Sequence, residues 1–205
     1  MQKNKSTGKI FYKEKKNFLT KKELKIINEH ILGDNFPWFF QKSATTEKFP
    51  FFSHGLYKRY DIFKEEPVEN SEAVSFFKPI LIRFCKNQNI KINKIARGTL
   101  NLSYHHGTYV SGDPHVDHEY DHKVFMIYLN NVEGDTLIYD KVNDKQKYVI
   151  PIEELKKPLE IIKRIKPEQG KAVCWDGNHF HAASFCPPGK IRVVLVFTFI
   201  WKYIN

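Results

Sequence analysis

The histidines of this chain are clustered, and one cluster has the spacing of a metal site. Seven of the nine histidines lie in two groups, at residues 105–122 and 179–181. In the first group one residue separates His115 from Asp117, so on an extended segment both side chains point to the same side and can bind one ion. A second imidazole from a distant strand would complete a facial set of two histidines and one carboxylate, which suits non-haem Fe(II). The spacing therefore predicts a metal centre that needs one more ligand.

The same segment also matches a second metal-site pattern, HExxH, at His118 and His122. In zinc proteases this pattern lies on a helix, where two histidines one turn apart bind zinc and the glutamate is the general base. Here a Gly-Asp-Pro turn at residues 112–114 precedes the pattern and a β-like run follows it directly, so a helix is not expected. We therefore interpret His118 and His122 as exposed loop residues near the site.

Two candidates for the missing ligand and one for an anion-binding residue follow towards the C-terminus. His179 and His181 would share one strand face, so either of them could supply the ligand. Arg192 opens the last apolar run, eleven residues after His181. Arginine can bind a carboxylate through two parallel hydrogen bonds, which lysine cannot. Because the chain has 28 lysines and only five arginines, the position of each arginine is informative.

The elements that would position these residues are two helices followed by short strands. Thr20 predicts the N-cap of a helix over residues 21–32, and Asn70 or Ser71 predicts the start of a second helix over about residues 71–88. A strand is expected at residues 51–60. Further β-like runs, separated by turn residues, lie at residues 92–104, 123–130, 135–142, 147–152, 159–165, 171–176 and 191–201. This order predicts a mainly β chain with N-terminal helices, as a sandwich or barrel.

Composition indicates one domain with a basic N-terminal arm. Hydrophobic residues make up 41% of the chain and aromatic residues 15%, which excludes a disordered chain or a coiled coil. Residues 1–25 hold nine lysines against two glutamates and carry most of the net charge of +10. We predict a solvated lysine-rich arm over residues 1–18, with a weak polyanion contact as the alternative, and a single domain over residues 19–205.

The three scattered cysteines and the absence of an apolar leader or span predict a reduced, intracellular (cytoplasmic) protein without a membrane segment.

These motifs jointly resemble the Fe(II)/2-oxoglutarate-dependent oxygenases, in particular the branch of the prolyl 4-hydroxylases and small phage-encoded enzymes. The family has HxD, then a distal histidine after a DG-like turn, then an arginine or lysine about ten residues later. Here the matching residues are His115, Asp117, His181 and Arg192. The resemblance implies that the first three are the catalytic metal ligands and that Arg192 binds the far carboxylate of 2-oxoglutarate.

Two tyrosines extend the resemblance, which covers residues 90–200. Tyr104 begins a segment similar to the family's YxxG, and Tyr128 begins its strand-ending YLN. A Gly-Asp-Thr segment at residues 134–136 follows, in a form associated with the phage-like members. The resemblance implies that Tyr128 and Tyr104 hydrogen-bond to the cosubstrate. It also implies the double-stranded β-helix, a jelly roll of two facing sheets with the metal at its open mouth.

The implied activity is hydroxylation of a C–H bond in a prolyl, peptidyl, amino-acid or other small-molecule substrate, with release of succinate and CO2. Its cofactors would be Fe(II), 2-oxoglutarate and O2, with ascorbate as a reductant in vitro. A phage-encoded enzyme would act in the host cell.

Two alternatives to this activity remain open. Nucleic-acid oxidative demethylases resemble a pattern with an Asn two residues after the arginine and a second Arg four residues beyond it. Here Val194 and Thr198 occupy those positions, which makes this alternative the weaker enzyme hypothesis. The other alternative is a jelly-roll binding module that keeps its metal ligands without turnover.

Overall fold

Two antiparallel β-sheets face each other in this structure, a computed structural model that describes residues 10–42, 48–144 and 147–203. The strands are β1 (Tyr12–Lys15), β2 (Phe39–Gln41), β3 (Phe51–Gly55), β4 (Ile90–Tyr104), β5 (Lys123–Tyr128), β6 (Thr136–Val142), β7 (Ile161–Ile165), β8 (Ala172–Asp176), β9 (His179–Ala183) and β10 (Ile191–Tyr203). The larger sheet has the order β1-β8-β5-β10-β4-β3-β2, and the smaller sheet has the order β7-β6-β9. The mainly β fold with N-terminal helices that the sequence predicts is confirmed.

Helix α1 (Lys21–Ile26) begins where the sequence predicts. The Thr20 hydroxyl accepts a hydrogen bond from the Glu23 N–H, and the Glu23 carboxylate accepts one from the Thr20 N–H, which together form a capping box. The chain continues as a π-helical turn over Ile27–Ile31. Arg83 of helix α2 (Val74–Asn87) binds both carboxylate oxygens of Glu23, at 2.7 and 2.8 Å, and so ties the two helices together.

Alternation along β10 divides the interior into two apolar regions. Val193, Leu195 and Phe197 point towards α2 and form the core between the helices and the larger sheet. Val194 points to the opposite side, into the space between the two sheets. Because side chains alternate along a strand, the even-numbered positions of β10 face this inter-sheet space.

The smaller sheet is extended by two segments that the sequence did not place in one sheet. His115 exchanges two backbone hydrogen bonds of 2.9 Å with His181 of β9. On the other side of the same segment, the Val116 N–H donates to Tyr148 O and the Ile150 N–H donates to Pro114 O, both at 2.9 Å. The predicted strand at residues 147–152 is reduced to this pairing, and the predicted strand at 51–60 ends at Gly55.

Part of the predicted N-terminal arm lies in the larger sheet. Strand β1, within residues 1–18, pairs antiparallel with β8, with Tyr12 opposite Trp175. Residues 1–9, which hold three of the arm's lysines, lie outside the described residues. The three cysteines, Cys85, Cys174 and Cys186, are buried and unpaired. Among the residues described here, no helix has the length and apolarity needed to cross a membrane.

Candidate functional site

The structure brings His115, Asp117 and His181 together at one end of the inter-sheet space. One nitrogen or oxygen atom from each side chain lies within 4.8 Å of the others. His115 and Asp117 lie on one side of an extended segment, as their spacing predicts, and the backbone pairing of His115 with His181 brings the third residue from β9. His179 is directed elsewhere, because its Nδ1 lies 3.0 Å from Tyr139 O.

Backbone carbonyls orient both imidazole rings so that their Nε2 atoms are the ones free to bind a metal. His115 Nδ1 lies 2.9 Å from Asp113 O, and His181 Nδ1 lies 3.1 Å from His179 O. A carbonyl oxygen only accepts hydrogen bonds, so each Nδ1 carries the proton and each Nε2 keeps its lone pair. Hydrogen bonds of this kind orient metal-binding histidines in proteins.

Burial and neighbouring charges set the protonation states that a metal ion requires. Burial lowers the pKa of His115 to about 4, with a further contribution from His181, so the imidazole is neutral near pH 7. Burial would raise the pKa of Asp117, but the effects of its neighbours His181 and Arg97 outweigh it. The pKa of Asp117 therefore lies well below its usual range. Neutral imidazoles and an ionised carboxylate are the forms that bind metals.

The two oxygens of Asp117 have different neighbours. Oδ2 lies 3.5 Å from His181 Nε2, towards the other two side chains of the cluster. Oδ1 lies 3.4 Å from Nη1 of Arg97 on β4. Arg97 therefore holds the carboxylate in one orientation, with Oδ2 turned towards the imidazoles. Sequence reasoning missed Arg97, and the low arginine content was the one signal that could have indicated it.

The HExxH pattern does not form a helix. Residues 111–122 contain no helical turn, and His118 Nε2 lies 2.7 Å from Thr198 Oγ1 of β10. The expectation that His118 and His122 are exposed is wrong: the first is half-buried and the second is fully buried. His122 is buried because it packs on Gly177 of the turn after β8, where a Cβ atom would approach His122 Cε1 to 2.7 Å. This close approach explains the glycine in the DG turn.

Arg192 and Tyr128 form a second polar group in the inter-sheet space. Arg192 is 4% exposed, and its Nε and Nη2 donate to Gly134 O at 3.0 Å and Thr136 Oγ1 at 2.7 Å. The Tyr128 hydroxyl lies 2.7 Å from Thr136 Oγ1, and the Arg192 guanidinium lies over the Tyr128 ring at 5.3 Å. Burial, the largest effect, raises the pKa of Tyr128. Thr136, in the Gly-Asp-Thr segment, is a further functional candidate to which the sequence assigned no role.

No carboxylate among the described residues forms an ion pair with Arg192. Its described polar contacts are a carbonyl oxygen, a hydroxyl and the sulfur of Met126. A buried charge without a counter-ion is costly, so this group is suited to an anionic ligand. The position is also suitable, because Thr136 lies two residues along β6 from Ile138, which is opposite His181. At ~3.3 Å per residue this places the Arg192 group ~7 Å along the strand from the metal cluster, a span that a short dicarboxylate can cover.

Tyr104 does not join this group. Residues opposite each other in an antiparallel pair share a sheet face. Arg192 is opposite Ser103, whereas Tyr104 is opposite Ile191 and therefore lies on the other face of the sheet. Its ring stacks on His106 at 4.7 Å between centroids. We leave Tyr104 out of the site because strand parity separates it from Arg192 and Tyr128.

Comparison with known proteins shows the fold to be that of solved 2-oxoglutarate–Fe(II) oxygenases. No protein-family model and no curated protein matches the sequence. Among solved structures, the chain is similar to an oxidoreductase of the 2OG-Fe(II) oxygenase family from Burkholderia pseudomallei, with 15% identity and a TM-score of 0.57 over 92% of this chain and 82% of that one. It is also similar to a prolyl hydroxylase from Trichoplax adhaerens, solved with a hypoxia inducible factor peptide fragment (11% identity, TM-score 0.60, 92% and 83% covered). A third is the epimerase SnoN of nogalamycin biosynthesis, solved with Fe3+, α-ketoglutarate and nogalamycin RO (8% identity, TM-score 0.55, 95% and 81% covered). The predicted double-stranded β-helix is confirmed.

Proposed function

We propose that this protein is an Fe(II)- and 2-oxoglutarate-dependent dioxygenase that hydroxylates a C–H bond. The observation that carries the proposal is the cluster of His115, Asp117 and His181, whose ligand atoms lie within 4.8 Å of one another. Two imidazole nitrogens and one carboxylate oxygen on one face suit Fe(II) and leave positions for O2 and a cosubstrate. Bound there, the metal would supply O2 activation, in which one oxygen atom enters succinate as 2-oxoglutarate loses CO2 and the other enters the substrate C–H bond.

Arg192 is the proposed binding residue for the far carboxylate of 2-oxoglutarate. It is buried, has no carboxylate partner among the described residues, and makes no described hydrogen bond through Nη1, which can donate to a carboxylate. Tyr128 and Thr136 lie beside it and hold the guanidinium in place through the Thr136 hydroxyl. The cosubstrate would then extend from Arg192 towards the metal cluster.

The remaining residues of the inter-sheet space exclude water from the reacting groups. Val194, Met126 and Val173 are buried there, and Trp175 lies edge-on to His181 with 5.4 Å between ring centroids. An apolar lining of this kind protects a reactive site from side reactions with solvent. The chain therefore contributes orientation, proton states and a dry interior, while the bound groups supply the oxidising power.

The proposed substrate is a prolyl, peptidyl or amino-acid compound. Support comes from an open cavity of about 650 Å³ beside the cluster, lined by His115 and Asp117, which can accept a small molecule or part of a peptide. The Trichoplax adhaerens prolyl hydroxylase, similar in fold, was solved with a peptide fragment.

Metal binding tests the centre of this proposal. We expect His115→Ala, Asp117→Ala and His181→Ala each to abolish Mn(II) binding, measured by calorimetry or by the electron paramagnetic resonance signal of free Mn(II). His179→Ala is the matched control, since its ring faces Tyr139 O, and it should bind as the wild type does. Loss of binding in His179→Ala with retention in His181→Ala would overturn the ligand set.

Turnover tests the reaction itself. With Fe(II), 2-oxoglutarate and ascorbate, we expect succinate formation that is stimulated by a compound from a panel of proline peptides and amino acids. Tight metal binding with no succinate formation above a metal-free control would instead identify a binding module. Stimulation by single-stranded DNA alone would favour the nucleic-acid alternative.

A further inference from the structure

The cavity beside the metal cluster is separate from the Arg192 group. It lies between the loop at residues 57–63 and the segment at residues 115–120, with Ala96 and Arg97 of β4 in its wall. His115 and Asp117 line it, whereas Arg192 and Thr136 are not among its lining residues. A molecule bound here would therefore lie beside the metal cluster without occupying the proposed cosubstrate position.

The carboxylates that line this cavity already have partners within the protein. Asp61 forms an ion pair with Lys64 at 3.2 Å and accepts a hydrogen bond from the Phe63 N–H at 3.0 Å. Glu119 lies near Tyr148, where burial raises the pKa of the tyrosine and the Glu119 carboxylate raises it further. The third carboxylate, Asp117, belongs to the metal cluster. The lining thus holds three carboxylates and three cations, and Lys64, paired with Asp61, adds a fourth cation.

The cavity has cationic groups that are not balanced in this way. Arg59 and Lys58 line it, and in the described part of the chain neither forms an ion pair. Arg97 has one acidic partner, Asp117 at 3.4 Å, and that carboxylate would share its charge with a bound divalent metal. Arg59 and Lys58 favour an anionic ligand already in the metal-free protein, and a divalent metal bound to Asp117 would add to this positive charge next to the reacting position.

An aromatic surface lies on the same cavity wall. Phe63 is 71% exposed and meets the Tyr120 ring edge-on, with 5.2 Å between centroids. Tyr120 in turn stacks on His118 at 4.8 Å with 11° between the planes. An exposed phenylalanine beside a tyrosine offers apolar area for the carbon skeleton of a ligand whose charged end is bound elsewhere in the cavity.

We propose that the substrate carries a compact oxyanionic group, a carboxylate or a phosphate, which Arg97 and Arg59 bind while the carbon skeleton of the substrate lies on Phe63 and Tyr120. Arg97 contacts the metal ligand Asp117, so an anion on this guanidinium holds the neighbouring carbon atoms beside the metal. Identification of this ligand as the substrate rests on the proposed function, whereas anion binding in the cavity does not.

The test is a binding titration of metal-free protein without 2-oxoglutarate, followed by ligand-detected NMR. Benzoate and phenyl phosphate are the anionic probes, and benzamide is the neutral probe of matched shape. We expect benzoate to bind at least ~10-fold more tightly than benzamide. Arg97→Gln should weaken benzoate binding by ~10- to 100-fold. Arg59→Gln should weaken it by ~5- to 10-fold, because Arg59 is exposed. Both variants should change benzamide binding little. The tighter of the two anions identifies the carboxylate or the phosphate as the preferred group.

Two control variants make the result specific. Arg164→Gln removes the same charge at an exposed ion pair with Asp135, outside the cavity, and Arg192→Leu removes the proposed cosubstrate residue. Both should bind benzoate as the wild type does. Equal affinity for benzoate and benzamide would overturn the proposal, as would a loss in Arg192→Leu without one in Arg59→Gln. Because neither metal nor 2-oxoglutarate is present, failure here is distinguishable from failure of the dioxygenase proposal.

Discussion

Replacing Arg192 with leucine is the sharpest perturbation of the proposed cosubstrate site. Leucine removes the guanidinium from a position that is 4% exposed, in a space otherwise lined by apolar side chains such as Val194 and Met126. The metal cluster loses no contact in this variant, because the described hydrogen bonds of Arg192 go to Gly134 O and Thr136 Oγ1. The variant should therefore keep its affinity for Mn(II).

The expected loss of 2-oxoglutarate affinity follows from the hydrogen bonds that Arg192 can still make. Nε donates to Gly134 O, and Nη2 contacts Thr136 Oγ1 and Met126 Sδ, which leaves the two N–H groups of Nη1 for a carboxylate. Hydrogen bonds to a charged group contribute ~1.5–3 kcal/mol each, and truncating one partner of a buried charge pair costs ~2–5 kcal/mol. We expect 2-oxoglutarate to bind ~30- to 5,000-fold more weakly.

Calorimetric titration of 2-oxoglutarate into Mn(II)-loaded protein measures this loss. Arg192→Lys should recover part of the affinity, because an ammonium keeps the charge but loses the planar fork. Tyr128→Phe is the graded control and should cost less, ~0.5–1.5 kcal/mol, because its hydroxyl acts on the guanidinium through Thr136. Wild-type affinity in Arg192→Leu would refute the carboxylate-binding role and remove the main support for 2-oxoglutarate as cosubstrate.

Two further predictions concern packing and pH. Gly177→Ala should lower the free energy of unfolding by ~1–3 kcal/mol, because its Cβ would overlap the His122 ring. Gly112→Ala should cost less, because the nearest neighbours of its Cβ lie at 3.8 Å or more. Equal melting temperatures for the two variants would contradict this prediction. Burial acts to raise the pKa of Glu23, but the hydrogen bonds from Arg83 and Thr20 outweigh it and lower the pKa below the ordinary glutamate value of about 4.3. The carboxylate therefore stabilises the fold above that pH, and the stabilisation is lost as the pH falls through the lowered pKa. The free energies of unfolding of wild type and Glu23→Gln, measured with denaturant, should therefore converge in acid and differ by ~1–2 kcal/mol at pH 7. A constant difference across this pH range would refute the assignment.

Much of the local structure was predictable because it depends on neighbours in the chain. The capping box of Thr20 and Glu23 lies within four residues, and the strand alternation of residues 191–201 needs only a period of two. His115 and Asp117 share a side of one extended segment for the same reason. The family resemblance then indicated His181, which belongs to the metal cluster, and Arg192, which lies in the inter-sheet space.

Features that depend on pairing between distant segments were not predictable. The sequence showed strand β4 but not its register against β10, and a shift of one residue exchanges the two faces of a strand. That register puts Tyr104 on the face away from Arg192 and places Arg97 opposite Thr198, on the face that meets Asp117. The sequence suggested Tyr104 and missed Arg97 because strand parity is a property of the paired sheet.

The sequence by itself determined the mainly β fold class, the start of α1 and the chemistry of the HxD pair, since all three follow from residues close in the chain. Only the tertiary structure decided that β1 joins the larger sheet, that Thr136 meets Arg192, and that His122 is buried against Gly177. These contacts join segments up to about 160 residues apart, and their free energy comes from burial and pairing that exist only in the folded chain.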